Sequence, residues 1–218
     1  MPATIREQSA QVQRAAAEQL PADVLDVFNH SIQQLLEEGV PTDTVKVGDR
    51  LDSFTLDDAT GAPVSLDGLV ASGPAVIVFY RGGWCPYCNL ALRTYEQGLS
   101  PQLGRFGASL VAISPQSPDE SLSTVEKADL SFTVLSDPGS RLAKRIGIAF
   151  QQTEEVLAAQ RKLGLDLAQV NAEGATFLPR PTVLVIDTDR VVRLVDVQPD
   201  YTARTEVADI IGALSELG

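Results

Sequence analysis

Cys85 and Cys88 are the residues of this chain whose type and spacing could do redox chemistry. They are the only two cysteines among 218 residues, and they form a Cys-Pro-Tyr-Cys motif directly after the apolar run 76–80 and the turn 81–84. Residues i and i+3 of a helix lie on the same side, close enough for two sulfurs to close into a disulfide. The motif therefore predicts a redox-active dithiol.

The helix that should begin at this motif predicts different reactivities for the two thiols. No proline or glycine separates Cys88 from Gly98, so a helix over 85–98 fits, and Pro86 suits its first position. Free N–H groups and the positive end of the helix dipole favour a thiolate at the N-terminus. We therefore expect an exposed, acidic Cys85 that attacks and a more sheltered Cys88 that resolves.

Two other interpretations of the cysteine pair compete with redox chemistry. A closed zinc site needs four ligands, and this chain offers one histidine, His30, and no third cysteine. Buried, inert cysteines would pack as small hydrophobic residues, which the glycine turn and the helix start disfavour. We expect neither a metal nor another cofactor.

Composition and charge exclude several classes of partner. The formal net charge of −12 and the pI near 4.4 disfavour binding to nucleic acid or to an anionic membrane surface. The sequence has no apolar run of eighteen residues, and its first twenty residues lack the apolar core of a signal peptide. These features predict a cytoplasmic protein, and in the cytoplasm a disulfide is more often catalytic than structural.

Apolar runs alternate with helical patterns through most of the chain. Unbroken apolar segments at 75–80, 109–114 and 183–187 predict strands buried on both faces, and 191–195 should form a hairpin with the third strand. Helices are predicted at 85–98, 119–128, 140–146 and 205–217. The expected fold class is α/β, with a central mixed sheet flanked by helices.

Two segments fall outside this alternation. Residues 1–45 are predicted to be an N-terminal helical extension, helical over 3–39 with Pro21 able to start a new turn, ahead of one domain at 46–218. Its apolar stripe must cover either the domain or a second subunit, and we expect a homodimer. Residues 148–180 are predicted to be an insertion, a glycine-broken helix followed by a loop, which shapes a binding site or joins subunits.

The run 79–88 resembles the active-site strand and helix start of the thioredoxin-fold superfamily. It is most similar to the peroxiredoxin-like branch of the alkyl hydroperoxide reductase and thiol-specific antioxidant family. Further matching pieces lie at 47–49, 54–56, 110–114 and 135–137, and the resemblance covers about residues 46–215. It implies a thioredoxin-like fold.

The second element of the resemblance is Arg180-Pro181-Thr182, just before the strand at 183–187. Thioredoxin-like proteins carry a cis proline here that faces the cysteine pair, so the resemblance implies a cis Pro181. The substrate-binding residues that follow from the two elements are Arg81, Trp84, Pro86, Tyr87, Arg180, Pro181 and Thr182.

The motif departs from typical peroxiredoxins in two places. Aligned on the family pattern, Cys85 takes the position of a threonine and Cys88 that of the peroxidatic cysteine. The family's arginine falls on Pro181, with Arg180 one residue away. Both departures make the site more similar to that of thioredoxin.

The resemblance implies a thiol-dependent peroxidase. The dithiol would reduce hydrogen peroxide or an organic hydroperoxide, and a thioredoxin-like or low-molecular-weight thiol would reduce the resulting disulfide. The alternative is a thioredoxin-like thiol–disulfide oxidoreductase acting on protein or small-molecule disulfides. A redox-inert scaffold, in which the acidic surface and the N-terminal helices serve assembly, is the third interpretation.

Overall fold

A computed structural model describes residues 3–217, with the backbone alone for residue 127. Its helices are α1 (Ile5–Gln19), α2 (Ala22–Glu38), α3 (Leu66–Leu69), α4 (Pro86–Gly98), α5 (Pro118–Ala128), α6 (Arg141–Arg145), α7 (Glu154–Lys162), α8 (Leu167–Val170) and α9 (Val207–Ser215). Its strands are β1 (Thr55–Asp58), β2 (Pro63–Ser65), β3 (Ala75–Phe79), β4 (Ser109–Ser114), β5 (Thr133–Ser136), β6 (Ala149–Gln151), β7 (Phe177–Pro179), β8 (Thr182–Ile186) and β9 (Val192–Val197). The predicted helices and strands of the α/β part are confirmed, with boundaries within three residues.

Seven strands form one mixed sheet in the order β2-β1-β5-β4-β3-β8-β9. The strands β3, β4 and β5 run parallel, whereas β8 pairs antiparallel with both β3 and β9. The predicted hairpin after the third apolar strand is the pair β8–β9. The sheet confirms the expected fold class.

Helices cover both faces of this sheet, which is why its central strands are apolar throughout. Along β3, Val76 and Val78 belong to the core under α4 and α9, whereas Ile77 and Phe79 belong to the core under α6. A strand between two helix layers needs apolar side chains at every position. This central position places the end of β3, and the turn that follows it, where α4 begins.

The first N-terminal helix is fixed to the rest of the chain at its start. Thr4 and Glu7 form a capping box at the start of α1, and Glu206 accepts hydrogen bonds from the backbone N–H groups of Ile5 and Arg6. The side chain of Ile5 is fully buried in the core under α4. The helix predicted over 3–39 is two helices, because proline at position 21 cannot continue the hydrogen-bond ladder of α1.

The segment 148–180 contains more regular structure than predicted. It holds α7 and α8, and β6 pairs antiparallel with β7 in a separate two-stranded sheet. A third apolar cluster joins α2 to this segment through Leu35, Leu157, Leu167 and Leu178. No helix in the described residues is long and apolar enough to cross a bilayer.

Candidate active site

Both cysteines lie at the start of α4, and both are buried. Cys85 is the residue that caps the helix, Pro86 is its first residue, and each cysteine is 1% exposed. The thiols are free. The expectation of an exposed Cys85 is wrong, because Cys85 belongs to the buried apolar cluster that also contains Ile5 of α1 and Tyr80.

Hydrogen-bond donors converge on Cys88. Arg204 Nη2 lies 3.0 Å from Cys88 Sγ and 3.9 Å from Cys85 Sγ. Burial alone would raise the pKa of Cys88, but hydrogen bonds from the Cys85 thiol and the Arg81 backbone N–H, together with the Arg204 charge, hold that pKa well below its ordinary value. The structure therefore favours a thiolate on Cys88.

The pKa of Cys85 is shifted in the opposite direction. Burial, followed by the hydrogen bond that its thiol donates to Cys88, raises the pKa of Cys85 well above its ordinary value. The expectation of an acidic Cys85 is therefore wrong. The effect of the helix N-terminus on the Cys85 thiol is outweighed by that of side chains from elsewhere in the chain, which lie closer to the Cys88 sulfur than to the Cys85 sulfur.

Arg204 was not predicted as a site residue. It follows Asp200 and Tyr201 in the segment between β9 and α9, and its Nη1 donates to the carbonyl oxygens of Tyr201 and Ala203. These bonds orient the guanidinium toward the sulfurs. Arg204 lies 116 residues beyond Cys88 in the chain, and no local sequence pattern marks it.

A second arginine, Arg81, lies over two aromatic rings beside the cysteines. Its guanidinium carbon lies 4.0 Å from the centre of the Tyr201 ring and 5.1 Å from that of Trp84. Arg81 is 4% exposed, and no carboxylate among the described residues forms an ion pair with it. Burial raises the pKa of Tyr201 to about 12, so its phenol stays neutral next to this cation.

The glycine turn before Cys85 is held by Gln116, between β4 and α5, and by Asn89 of α4. The Gly83 N–H donates to Gln116 Oε1 at 2.7 Å, and Asn89 Nδ2 donates to the Gly83 carbonyl oxygen at 2.7 Å. A Cβ at Gly83 would lie 2.2 Å from Thr124 Oγ1. The turn requires glycine here, because α5 packs directly against its backbone.

A large cavity opens beside Cys85, with a volume of about 930 Å³. Five of the predicted site residues line it: Arg81, Trp84, Cys85, Pro86 and Tyr87. Its other walls come from α1, α2, the end of α7 and the segment of Tyr201. Cys88 is not among the described residues that line this cavity.

Three predicted site residues, Arg180, Pro181 and Thr182, are absent from the described lining of this cavity. Arg180 is buried and donates to Glu38 of α2 at 2.9 Å, and its guanidinium carbon lies 5.3 Å from the centre of the Phe150 ring. Thr182 Oγ1 donates to the Arg180 carbonyl oxygen. The backbone N–H of Arg180 donates to the Ile148 carbonyl oxygen next to β6, which directs this segment toward the small sheet.

The expected cis bond before Pro181 is also wrong, since the peptide bond is trans. Trans is the lower-energy isomer even before proline. Pro181 directly precedes β8, where it starts the strand, and its carbonyl oxygen accepts a hydrogen bond from Gln198.

Comparison with known proteins identifies the family. The model of the AhpC/TSA family matches residues 47–195, which is more than half of the chain. The chain belongs to the AhpC/TSA family. The match includes both cysteines, whereas α1, α2 and Arg204 lie outside it.

Individual relatives agree with this assignment. A protein of Mycobacterium tuberculosis named as a peroxiredoxin is 28% identical over 148 residues, which cover 68% of this chain and 82% of that protein. The chloroplastic peroxiredoxin Q of Sedum lineare is 33% identical over 95 residues, which cover 44% of this chain and 50% of that protein.

Solved structures confirm the thioredoxin-like fold expected from the resemblance. The crystal structure of peroxidoxin BcpB from Mycobacterium tuberculosis is similar with a TM-score of 0.64 and 25% identity, over 80% of this chain and 99% of that chain. A peroxiredoxin-like protein from Aquifex aeolicus is similar in fold, with a TM-score of 0.63 and 18% identity over 80% of this chain and 89% of that chain.

Proposed function

We propose that this protein is a thiol-dependent peroxidase of the peroxiredoxin type, in which Cys88 attacks the peroxide and Cys85 resolves. The observation that carries the proposal is the contact of Arg204 Nη2 with Cys88 Sγ at 3.0 Å. A charged donor at this distance stabilises the thiolate, and the thiolate is the form of cysteine that attacks. The AhpC/TSA membership and the peroxiredoxin relatives support the peroxidase chemistry.

The first step forms a sulfenic acid on Cys88. The thiolate attacks the terminal oxygen of a peroxide R–O–OH, the O–O bond breaks, and its electron pair stays on the oxygen that carries R. That oxygen takes the proton of the Cys85 thiol, which is hydrogen-bonded to Cys88, and leaves as R–OH. For hydrogen peroxide the product is water.

The second step closes the disulfide. The Cys85 thiolate attacks the Cys88 sulfur, and the hydroxide that leaves is protonated by solvent to water. An external thiol, of thioredoxin type or of low molecular weight, then restores the dithiol. Its thiolate attacks the Cys85 sulfur, since Cys88 with its low pKa is the better leaving group. We place this cycle in the cytoplasm and in a homodimer.

Three proteins compared side by side test the proposal: the native chain, Cys85→Ser and Cys88→Ser. Each reduced protein is mixed with one equivalent of hydrogen peroxide, and thiol loss and the fluorescence of Trp84, the only tryptophan, are followed with time. We expect rapid reaction in the native chain, a sulfenic acid that persists in Cys85→Ser, and reaction in Cys88→Ser no faster than that of free cysteine.

The contrary outcomes are equally specific. Native protein that reacts no faster than free cysteine contradicts the peroxidase function. Rapid reaction of Cys88→Ser, with loss of reactivity in Cys85→Ser, reverses the two roles. Insensitivity to peroxide combined with fast exchange against a model disulfide favours a thiol–disulfide oxidoreductase.

A further inference from the structure

The residues on either side of Arg204 bond to the first helix of the chain. Residues 200–206, between β9 and α9, are called the arginine segment below. The side chains of Thr202 and Glu206 form hydrogen bonds with α1, whereas Arg204, halfway between them, reaches the Cys88 sulfur at 3.0 Å. The same short segment therefore contacts α1 and the attacking sulfur.

The guanidinium of Arg204 takes its position from the backbone of its own segment. Its Nη1 donates to the carbonyl oxygens of Tyr201 and Ala203, and no carboxylate among the described residues forms an ion pair with it. A hydrogen bond to a charged sulfur weakens steeply when the distance or the angle of its donor changes. A displacement of the arginine segment would therefore weaken the contact with Cys88.

Glu206 joins the end of the arginine segment to the start of α1. Its carboxylate oxygens accept hydrogen bonds from the backbone N–H groups of Ile5 and Arg6, at 3.0 Å and 2.9 Å. The first N–H groups of a helix have no partner within the helix, and the helix dipole favours a negative charge at this end. Glu206 stands at the cap position of α9, yet its side chain makes no capping hydrogen bond to that helix. Its carboxylate thus binds α1.

Two further hydrogen bonds hold the rest of the arginine segment. Gln13 Nε2 of α1 donates to Thr202 Oγ1 at 2.7 Å. Tyr95 Oη of α4 donates to the carbonyl oxygen of Thr205 at 2.8 Å. Tyr95 lies about two helical turns after Cys88, on the same face of α4. The arginine segment is consequently held between α1 and the helix that carries the attacking sulfur.

We propose that α1 positions Arg204 against Cys88 through the arginine segment, with Glu206 as the positioning residue. This inference rests on the proposed function, because it takes Cys88 as the attacking thiol. It assigns a role to the first helix of the N-terminal extension, since α1, Glu206 and Arg204 all lie outside the residues 47–195 that the family model matches.

The pH dependence of Cys88 alkylation, measured on the full chain in the Cys85→Ser background, tests the role of Glu206. Glu206→Ala and Glu206→Gln remove the same negative charge, but only glutamine keeps a side-chain oxygen that can accept a hydrogen bond from α1. We expect Glu206→Ala to raise the alkylation midpoint and to slow alkylation at neutral pH by about tenfold. Glu206→Gln should restore most of the rate.

The direction of the shift separates positioning from a direct effect of the charge. Loss of a nearby negative charge by itself favours the thiolate, so it would lower the midpoint in both variants. Loss of position weakens the contact of Arg204 and raises the midpoint more in Glu206→Ala than in Glu206→Gln. The groups that act on the Cys88 sulfur, which are Tyr80, Arg81, Arg204 and the side chain at position 85, are the same in both variants.

Gln13→Ala tests the other contact with α1 without a change of charge. It should shift the midpoint in the same direction by less, and slow alkylation at neutral pH by about threefold. Gln11→Ala is the matched control, because Gln11 is exposed on α1 and makes no hydrogen bond to the arginine segment in the described part of the chain. Gln13→Ala decides the question if Glu206→Ala does not fold.

Three results would overturn the proposal. The first is an unchanged midpoint in both Glu206→Ala and Gln13→Ala. The second is an equal shift in Glu206→Ala and Glu206→Gln, which would be an effect of charge alone. The third is an equal shift in Gln13→Ala and Gln11→Ala, which would be a general loosening of α1. Alkylation uses no peroxide, so a native protein that reduces no peroxide contradicts the proposed function and leaves this test in force.

Discussion

The two sides of the cysteine pair differ in what surrounds the sulfur. On the Cys88 side lie a guanidinium at 3.0 Å and a backbone N–H, which are polar and fixed by hydrogen bonds. On the Cys85 side lies a cavity of about 930 Å³ with mostly apolar walls. The first environment sets the protonation of the thiol, and the second offers room for a substrate. Activation of the attacking thiol and selection of the substrate are thereby assigned to different residues, so a mutation should be able to change one without the other.

The largest expected effect is that of Arg204→Ala on the Cys88 side. Loss of a charge-assisted hydrogen bond should slow the reaction with hydrogen peroxide at neutral pH on the order of 100-fold. The pKa of Cys88, now held low, should rise toward its ordinary value. The rate loss should consequently be largest at neutral and acidic pH and shrink as the pH rises above the new pKa.

Alkylation of Cys88 as a function of pH, measured in the Cys85→Ser background, checks this expectation. Arg180→Ala is the matched control, since Arg180 is also buried but pairs with Glu38 and not with a sulfur. An alkylation midpoint that Arg204→Ala leaves unchanged, or that both variants shift equally, would contradict the assignment of thiolate stabilisation to Arg204.

Next in size is Leu35→Ala, on the face of α2 that packs against the segment 148–180. Leu35 is 5% exposed and joins α2 to the cluster of Leu157, Leu167 and Leu178. Its truncation should lower the free energy of unfolding by about 2–4 kcal/mol, measured with urea, and leave the alkylation midpoint of Cys88 in place. Leu36→Ala is the control, since Leu36 is 47% exposed and its truncation should lower the free energy of unfolding much less. A shifted Cys88 midpoint would show that the two sides are coupled.

The sequence predicted the central part of the molecule well for a physical reason. Strands buried on both faces must be apolar throughout, so the runs at 75–80, 109–114 and 183–187 can be recognised as strands without a structure. The spacing of Cys85 and Cys88 is equally local. The division into an extension at 1–45 and a domain at 46–218 with an insertion stays a prediction.

The environment of the cysteines could not be predicted from the sequence in the same way. Arg204 contacts Cys88 across 116 residues of chain, and Cys85 is buried in a cluster that includes Ile5 of α1, 80 positions earlier. Three-residue strands such as β6 and β7 are too short to show a pattern. Arg180 was selected for its position next to Pro181, but the hydrogen bond of its backbone to Ile148 directs it elsewhere.

A smaller effect is expected from Gly83→Ala, at the turn shared by both sides. The new Cβ would lie 2.2 Å from Thr124 Oγ1, so the turn or α5 must shift, at a cost of about 1–3 kcal/mol in unfolding free energy. The double variant with Thr124→Ala removes the clashing atom and should recover most of the loss. Urea denaturation of the three proteins measures this, and failure of the second substitution to rescue would locate the strain in the backbone of the turn.

The smallest effect should come from Asp23→Asn, which removes the ion pair between α2 and Lys162 at the end of α7. Both side chains are more than 60% exposed, and water and salt screen such pairs. The hydrogen bond and the charge of Lys162 lower the pKa of Asp23, so any stabilisation is present above the ordinary pKa of an aspartate and is lost as the pH falls through the lowered pKa.

We therefore expect the urea midpoint of Asp23→Asn at neutral pH to match that of the native protein within error. The position of α2 would then depend on the packing of Leu35 and not on the surface charge of the helix, as expected for a helix that forms an apolar cavity wall. A loss as large as that of Leu35→Ala, present at low salt and absent at high salt, would instead mean that electrostatic attraction holds α2 over the cysteines. The cavity would then open with ionic strength.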